Sequence, residues 1–271
     1  MTSDHADVVL LAAGAGTRLG EGRPKGLVAL AGTPLFLYSL RAFLSSSEID
    51  RVVITAPPEE MTSLGAAIET LPKELEAAAR VAIVPGGAER QDSTRAALTF
   101  LVESGARGDR LVLIHDSARP FVSARLVHDC LEAMRTPWTG AEQARLPGIA
   151  SAGEWGEGPA GVIPVLPVQD TLKLVYEDRV VLTQSRDNLF AAQTPQAFRL
   201  GVILDAHRRA RDVGEQVTDD ASLLEWLGIP VRVLPGDGAN WKITVPFDLE
   251  KAERWLKAAP TEPGGKGRTA S

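Results

Sequence analysis

Short apolar runs alternate with amphipathic stretches along most of the chain, and each run stops at glycine, proline or a polar cluster. Val8 to Ala12 is one such run, suited to a central parallel strand buried on both faces, and Ala13 to Gly16 supply small residues where the chain turns sharply. R-V-V-I-T-A at 51–56, V-A-I-V at 81–84, R-L-V-L-I-H at 110–115, G-V-I-P-V at 161–165 and I-P-V-R-V-L at 229–234 predict further strands. Helices are predicted from Pro34 through P-L-F-L-Y-S-L-R-A-F-L, over 59–79 with an interruption at Pro72, and over 199–211. Another begins in V-T-D-D-A-S-L-L-E-W-L-G, with Thr218 or Asp219 as N-cap and Gly228 as its stop. N-W-K-I-T-V at 240–245 reads as a short strand before a final helix.

Strand–helix alternation implies an α/β fold, a mostly parallel Rossmann-like sheet flanked by helices, with a ligand cleft at the carboxyl ends of the strands. Residues 1–258 are expected to form a single domain, and 259–271 a disordered tail. Two segments break the rhythm. Residues 136–160 are rich in Gly, Pro and Ala and read as an inserted surface loop, part of it docked through Trp138 and Trp155. Residues 170–185 show two β-rich runs around Glu177-Asp178, a hairpin within a projecting β-arm spanning about 167–190. An isolated two-stranded hairpin is marginally stable in water. Pairing with a second copy would bury it, which predicts a homodimer.

At 271 residues, 44% hydrophobic and 24% charged, the chain has ordinary globular composition and room for a large core. A net charge of -6 without a long basic run argues against nucleic-acid binding, so a phosphate ligand would be small and held by a few cations. The N-terminus lacks a basic and apolar leader and no apolar run reaches membrane-spanning length, so a cytoplasmic protein is expected, with no membrane partner. The single cysteine, Cys130, excludes an intramolecular disulfide and reads as a half-buried helix residue.

Chemistry concentrates in V-V-L-L-A-A-G-A-G-T-R-L-G-E-G-R-P-K at 8–25. Gly14 and Gly16 let backbone N–H groups approach an anion, and Arg18 and Lys25 add two cations, a combination suited to a triphosphate. A Walker loop is absent, and the dinucleotide fingerprint fails because Leu19 occupies its third glycine position. An ordinary tight βα turn is the alternative. Asp116, delivered by a strand end, suits Mg²⁺ or equally a turn or helix cap. His115 reads as a neutral hydrogen-bonding support for that loop, and His128 and His207 as ordinary helix residues.

A-A-G-x-G-T-R at 12–18, P-K at 24–25, G-G-x-E-R-x-D-S at 86–93, H-D-S-A-R-P-F at 115–121, D-T-L-K at 170–173, A-Q-T-P-Q-A-F-R at 192–199, T-D-D-A-S at 218–222 and N-W-K-I-T at 240–244 stand in order along the chain. Over residues 6 to 256 the sequence resembles the 2-C-methyl-D-erythritol 4-phosphate cytidylyltransferases of the nonmevalonate isoprenoid pathway. The resemblance implies transfer of CMP from CTP to that polyol phosphate, with Mg²⁺ as cofactor.

It further implies that Ala12, Ala13, Gly14, Ala15 and Gly16 hold the triphosphate with Arg18 and Lys25. Gly87, Ala88 and Ser93 would surround the cytosine and ribose, with Asp116 and Ser117 nearby and Asp116 beside the metal. Thr171, Arg186, Thr194 and Lys242 would surround the polyol phosphate, Arg186 arriving from a partner's arm. Arg18, Lys25 and Lys242 would be the catalytic cations. The chain departs from the family at Ala88, where Asp is common, and at Gly26, where Gln is usual. It also has Ala239 where an acidic residue often precedes Asn, leaving Asp237 as a displaced substitute, and carries the 136–160 insertion. A ribitol 5-phosphate cytidylyltransferase or a catalytically silent nucleotide-binding module are the rival readings.

Overall fold

A computed structural model describes residues 5–14, 16, 19, 24–139 and 158–258. Arg18, Ala15, Trp155, most of the 136–160 segment and residues 259–271 lie outside the described residues. Strand β1 (Ala6–Leu11) leads into the glycine-rich loop, and the short strands β2 (Ala29–Leu30) and β3 (Thr33–Pro34) pair with each other before helix α1 (Leu35–Leu44). β4 (Ile49–Ala56), α2 (Met61–Ile68), α3 (Ala77–Arg80), β5 (Val81–Pro85) and α4 (Arg90–Glu103) follow. β6 (Leu111–Asp116), α5 (Ala124–Arg135) and β7 (Gly161–Pro167) complete the first half. The second half contains β8 (Leu172–Tyr176), β9 (Arg179–Gln184), β10 (Phe190–Ala192) and β11 (Gln196–Arg199). α6 (Leu200–Val213), α7 (Ala221–Trp226), β12 (Val231–Pro235) and α8 (Pro246–Ala258) end it.

The eight-stranded central sheet runs β10-β7-β11-β6-β1-β4-β5, with β12 on the other edge of β7. β5, β4, β1 and β6 are parallel, as alternation predicts. β11 is antiparallel to both β6 and β7, and β10 is antiparallel to β7, neither of which the apolar pattern announced. The residues of β11 are short and mixed in polarity, and only the neighbours supply its backbone partners. Gly161 faces Phe198 across that junction, where an added Cβ would come within 2.9 Å of the Phe198 ring.

Two apolar layers cover the sheet. Phe36, Leu40 and Phe43 of α1 pack with Leu126 and Leu131 of α5 on one face. Leu98 and Leu101 of α4 pack with Ile203 of α6 and Leu224 of α7 on the other. Each such fully buried side chain contributes roughly 1.5–3 kcal/mol relative to exposure. A smaller cluster of Leu30, Leu35, Ile243 and Ala252 pins α8 beneath the loop region, and Phe121 and Trp241 rings lie 4.9 Å apart beside it.

Several expectations need correction. Residues 240–244 form no strand: they run as irregular chain, with Ile243 N donating to the Ala118 carbonyl at 2.8 Å. The 59–79 segment breaks after Ile68 into a turn and short helical pieces, because Pro72 lacks the N–H that would continue α2. Cys130 is fully buried rather than half-buried, and burial pushes its thiol up to about 12. α7 has Asp220 at its N-cap, one or two residues beyond the expected Thr218 or Asp219; Asp219 Oδ1 still accepts from Ser222 N at 3.2 Å, and Gly228 follows the helix with φ 72°. The β8–β9 hairpin forms with Glu177 and Asp178 at positive φ, and Leu174, Val175, Tyr176 and Val180 on it are exposed. In the 136–160 segment, Trp138 is described and lies 4.3 Å from the Arg232 guanidinium.

Candidate nucleotide site

The carboxyl ends of β1, β4 and β6 open on a cavity of about 370 Å³. Ala13, Gly14 and Gly16 line it from the first loop, and Lys25 N donates to the Gly14 carbonyl at 2.9 Å, drawing the loop into a closed cradle. Gly16 has φ 67°, a backbone state that favours glycine. Gly26 packs so closely that an added Cβ would lie 2.9 Å from Ala12 Cβ, which accounts for glycine at this position. Ala12 itself is buried behind the cavity wall and does not line it.

The second wall is the start of α4. Gly87, Ala88 and Ser93 all line the cavity. Ser93 Oγ accepts from Gly87 N at 3.0 Å and donates to the Glu89 carbonyl at 3.2 Å, holding the loop onto the first turn of the helix. Glu89 and Arg90 at this helix start also line the cavity, and a helix N-terminus suits an anion.

The floor carries the charges. Asp116 and Ser117, from the end of β6, and Lys242, from the irregular segment before α8, line one patch. Lys242 Nζ lies 2.6 Å from Asp116 Oδ2, and Arg90 Nε lies 3.3 Å from Asp116 Oδ1. Burial works against the Asp116 charge, yet the Arg90 and Lys242 charges outweigh it and hold this carboxyl well below the usual carboxylate range. Arg90 likewise is desolvated, but Asp220 and Asp116 hold its pKa above the ordinary value.

Behind the floor, Thr194 Oγ1 accepts from Asp116 N and stands against His115 Nδ1, both at 3.1 Å. Asn240 Nδ2 donates to the Thr194 carbonyl at 2.7 Å. His115 Nε2 faces the Arg119 carbonyl, and burial lowers its pKa to about 4, so it is the neutral support that the sequence suggested. Arg119 Nη1 in turn donates to the Asn240 carbonyl at 2.9 Å.

Lys25, Lys242, Asp116, Ser117, Gly87, Ala88, Ser93, Ala13, Gly14 and Gly16 are therefore brought together. Thr194 is buried and supports Asp116 rather than lining the cavity, while Thr171 and Arg186 are exposed on the arm, apart from the cavity wall of this chain. Sequence reasoning missed Arg90. It stands inside the quoted G-G-A-E-R stretch, but only the fold shows that it reaches Asp116.

Among the described residues no cluster of three metal-ligating side chains occurs. Asp237, the substitute considered for the missing acid at 239, spends one oxygen on Ala239 N at 2.8 Å and the other on the Ser123 hydroxyl at 3.2 Å. Asp116 alone is consistent with Mg²⁺ carried mainly by substrate phosphates, since Mg²⁺ commonly uses one or two carboxylates in that way. It does not form a cage by itself.

The sequence profile of the 2-C-methyl-D-erythritol 4-phosphate cytidylyltransferase family matches residues 6–147 and 149–258. A Halalkalibacterium halodurans protein of that name is 38% identical over 249 residues, covering 92% of this chain and 96% of the relative. A bifunctional IspD/IspF enzyme of Rhodopseudomonas palustris is 40% identical over 253 residues. The chain spans only 55% of that relative's length. The crystal structure of the Thermus thermophilus 2-C-methyl-D-erythritol 4-phosphate cytidylyltransferase superposes with a TM-score of 0.69 at 30% identity, covering 94% of this chain and all of the other. The chain belongs to the 2-C-methyl-D-erythritol 4-phosphate cytidylyltransferase family.

Proposed function

We propose that this chain transfers CMP from CTP to 2-C-methyl-D-erythritol 4-phosphate, giving 4-diphosphocytidyl-2-C-methyl-D-erythritol and pyrophosphate. The observation that carries this reading is the convergence of Lys25 and Lys242 on one cavity with the glycine loop and the α4 N-terminus. A substrate phosphate oxygen attacks the CTP α-phosphorus in line. The bond to the β-phosphate oxygen breaks on the opposite side, and that oxygen leaves with its electron pair as pyrophosphate. The attacking phosphate is already ionised, so no covalent nucleophile or general base is required. Arg18, Lys25 and Lys242 offset the repulsion between two anions and stabilise the charge building on the equatorial and leaving oxygens.

The loop from Ala13 to Gly16 would hold the triphosphate, backed by the buried Ala12, with Gly87, Ala88 and Ser93 around the base and ribose. Because residue 88 is alanine, base recognition there rests on backbone groups. Asp116 would be the protein carboxylate for Mg²⁺ arriving with CTP, and the ion would supply further neutralisation of phosphate charge. Lys242, Thr171 on the arm and Arg186 of the partner subunit would receive the polyol phosphate, with Thr194 supporting Asp116 from behind the cavity wall. The exposed apolar residues of the β8–β9 arm support a homodimer in which the arm delivers Arg186. Residues 1–258 act as one nucleotidyltransferase domain, and soluble substrates suit a cytoplasmic enzyme.

The test is pyrophosphate release from CTP and Mg²⁺ with methylerythritol phosphate or ribitol 5-phosphate as acceptor, for wild type and Lys25→Ala. Release with methylerythritol phosphate alone, lost in the variant, is expected. Release with ribitol phosphate alone would reassign the acceptor, and release with neither would sink the transferase reading.

A further inference from the structure

The T-D-D-A-S stretch at 218–222 has no part in the chemistry described so far, yet it supplies the most buried charge near the cavity. Asp220 is 1% exposed and His207 of α6 is fully buried. His207 Nε2 lies 3.1 Å from Asp220 Oδ1, and Arg90 Nη1 forms an ion pair at 2.8 Å with Asp220 Oδ2. Arg90 then turns its Nε to Asp116 Oδ1, and Lys242 closes on Asp116 Oδ2. His207, Asp220, Arg90, Asp116 and Lys242 thus form one continuous line from the interior to the cavity floor.

The turn carrying Asp220 is itself held. Gln196 Nε2 donates to Asp219 Oδ2 at 2.7 Å, and Gln196 Oε1 accepts from Ala221 N at 3.2 Å, tying the start of α7 to β11. A buried ion pair gains little net stability, because desolvation of two charges offsets their attraction. Its value lies in fixing geometry.

We propose that Asp220, oriented by His207, is a positioning residue that fixes the Arg90 guanidinium and through it the Asp116 carboxylate against which Lys242 is set. The inference rests on the cytidylyl-transfer reading for its kinetic consequence, but not for its structural one. Two carboxylates and two cations leave the line formally neutral, so Arg90 is committed on both sides and acts by its position. Asp220 places one oxygen before each partner. An amide offers one oxygen only and no charge, so Asp220→Asn can keep an acceptor toward Arg90 only by turning its NH2 toward His207, and in either orientation the Arg90 ion pair is lost.

Steady-state pyrophosphate release, CTP binding by calorimetry and thermal melting are compared for wild type and Asp220→Asn. The expected result is a kcat lower by about 10- to 100-fold with KM for CTP changed less than about threefold, since small misplacement of catalytic groups costs rate before binding. Combining Asp220→Asn with Arg90→Lys should cost no more than the larger single change, as for residues acting as a unit. An unchanged kcat, fully additive losses, or a rise in KM matched by a collapse in melting temperature would overturn the proposal.

Should Asp220→Asn fail to fold, His207→Gln, which keeps an N–H toward Asp220, is compared with His207→Leu. The glutamine variant should retain most of the rate that the leucine variant loses; equal rates would overturn the proposal. Independently of turnover, a crystal structure of the Asp220→Asn protein should show the Arg90 guanidinium displaced from its place between residues 220 and 116, and an unmoved guanidinium overturns the idea. Absence of transfer by wild type would count against the reaction assignment alone, and the crystallographic comparison would still decide the positioning role.

Discussion

Lys242 Nζ stands 2.6 Å from Asp116 Oδ2, although 126 positions separate the two in the chain. The pair holds a flexible cation in the cavity, so less side-chain freedom remains to be lost if a substrate phosphate binds there as proposed. Removing the cation should therefore act on the transition state. Lys242→Ala is expected to lower kcat by about 10² to 10³, by analogy with the loss of one preorganised donor. Pyrophosphate release under saturating CTP measures it.

The close packing of Gly86 gives a second expectation. An added Cβ would lie 2.5 Å from Ala13 Cβ and 3.0 Å from Ser93 Oγ, so the two walls of the cavity must separate to admit it. Gly86→Ala should destabilise the fold by about 1–3 kcal/mol, the usual cost of overpacking. It should weaken CTP binding as well. Urea unfolding and calorimetry read the two effects separately.

Cys130 provides the pH dependence. Its thiol is fully buried, and burial raises its pKa to about 12, whereas an unfolded cysteine ionises near ~8.5. The unfolded chain therefore releases this proton first as pH rises, and stability falls from roughly pH 8.5 up to about pH 12 by linkage. Below that window the residue contributes no slope. Cys130→Ala should flatten this part of the stability profile, and native protein at pH 8 should resist a thiol reagent that labels the urea-unfolded chain at once.

Leu174 and Leu182 face each other across the β8–β9 hairpin, 54% and 42% exposed. Replacing both with lysine should yield a monomer by sedimentation equilibrium if the arm is a subunit contact. CTP binding should survive and transfer should fall, because Arg186 of the partner subunit would no longer arrive. A monomeric wild type would remove the dimer from the proposal.

Elements with their own periodicity were legible from residues alone: β1, β4, β5 and β6 follow continuous apolar runs, and the arm follows two β-rich runs around a turn. β11 was not, because Gln196–Arg199 owes its strand state to β6 and β7 on either side. The strand expected at 240–244 fails for the converse reason. Its residues have the right composition, but Asn240 and Trp241 are engaged with Thr194 and Phe121, and among the described residues no strand pairs with it. The site was legible where glycine spacing and lysines mark phosphate chemistry. Arg90 and Asp220 escaped notice because an arginine at a helix start and an aspartate at a helix N-cap look local until the fold sets Arg90 between Asp220 and Asp116 at the cavity.

The arm leaves and re-enters the sheet through one neck, where Val168 N donates to the Leu189 carbonyl at 3.1 Å and β10 pairs with β7. Everything beyond that neck is topologically an excursion whose ends are already clasped. Shortening it to a tight turn would remove no strand of the central sheet, so the sheet that opens on the cavity and the hairpin that projects from it are separable pieces of one chain, free to diverge at different rates.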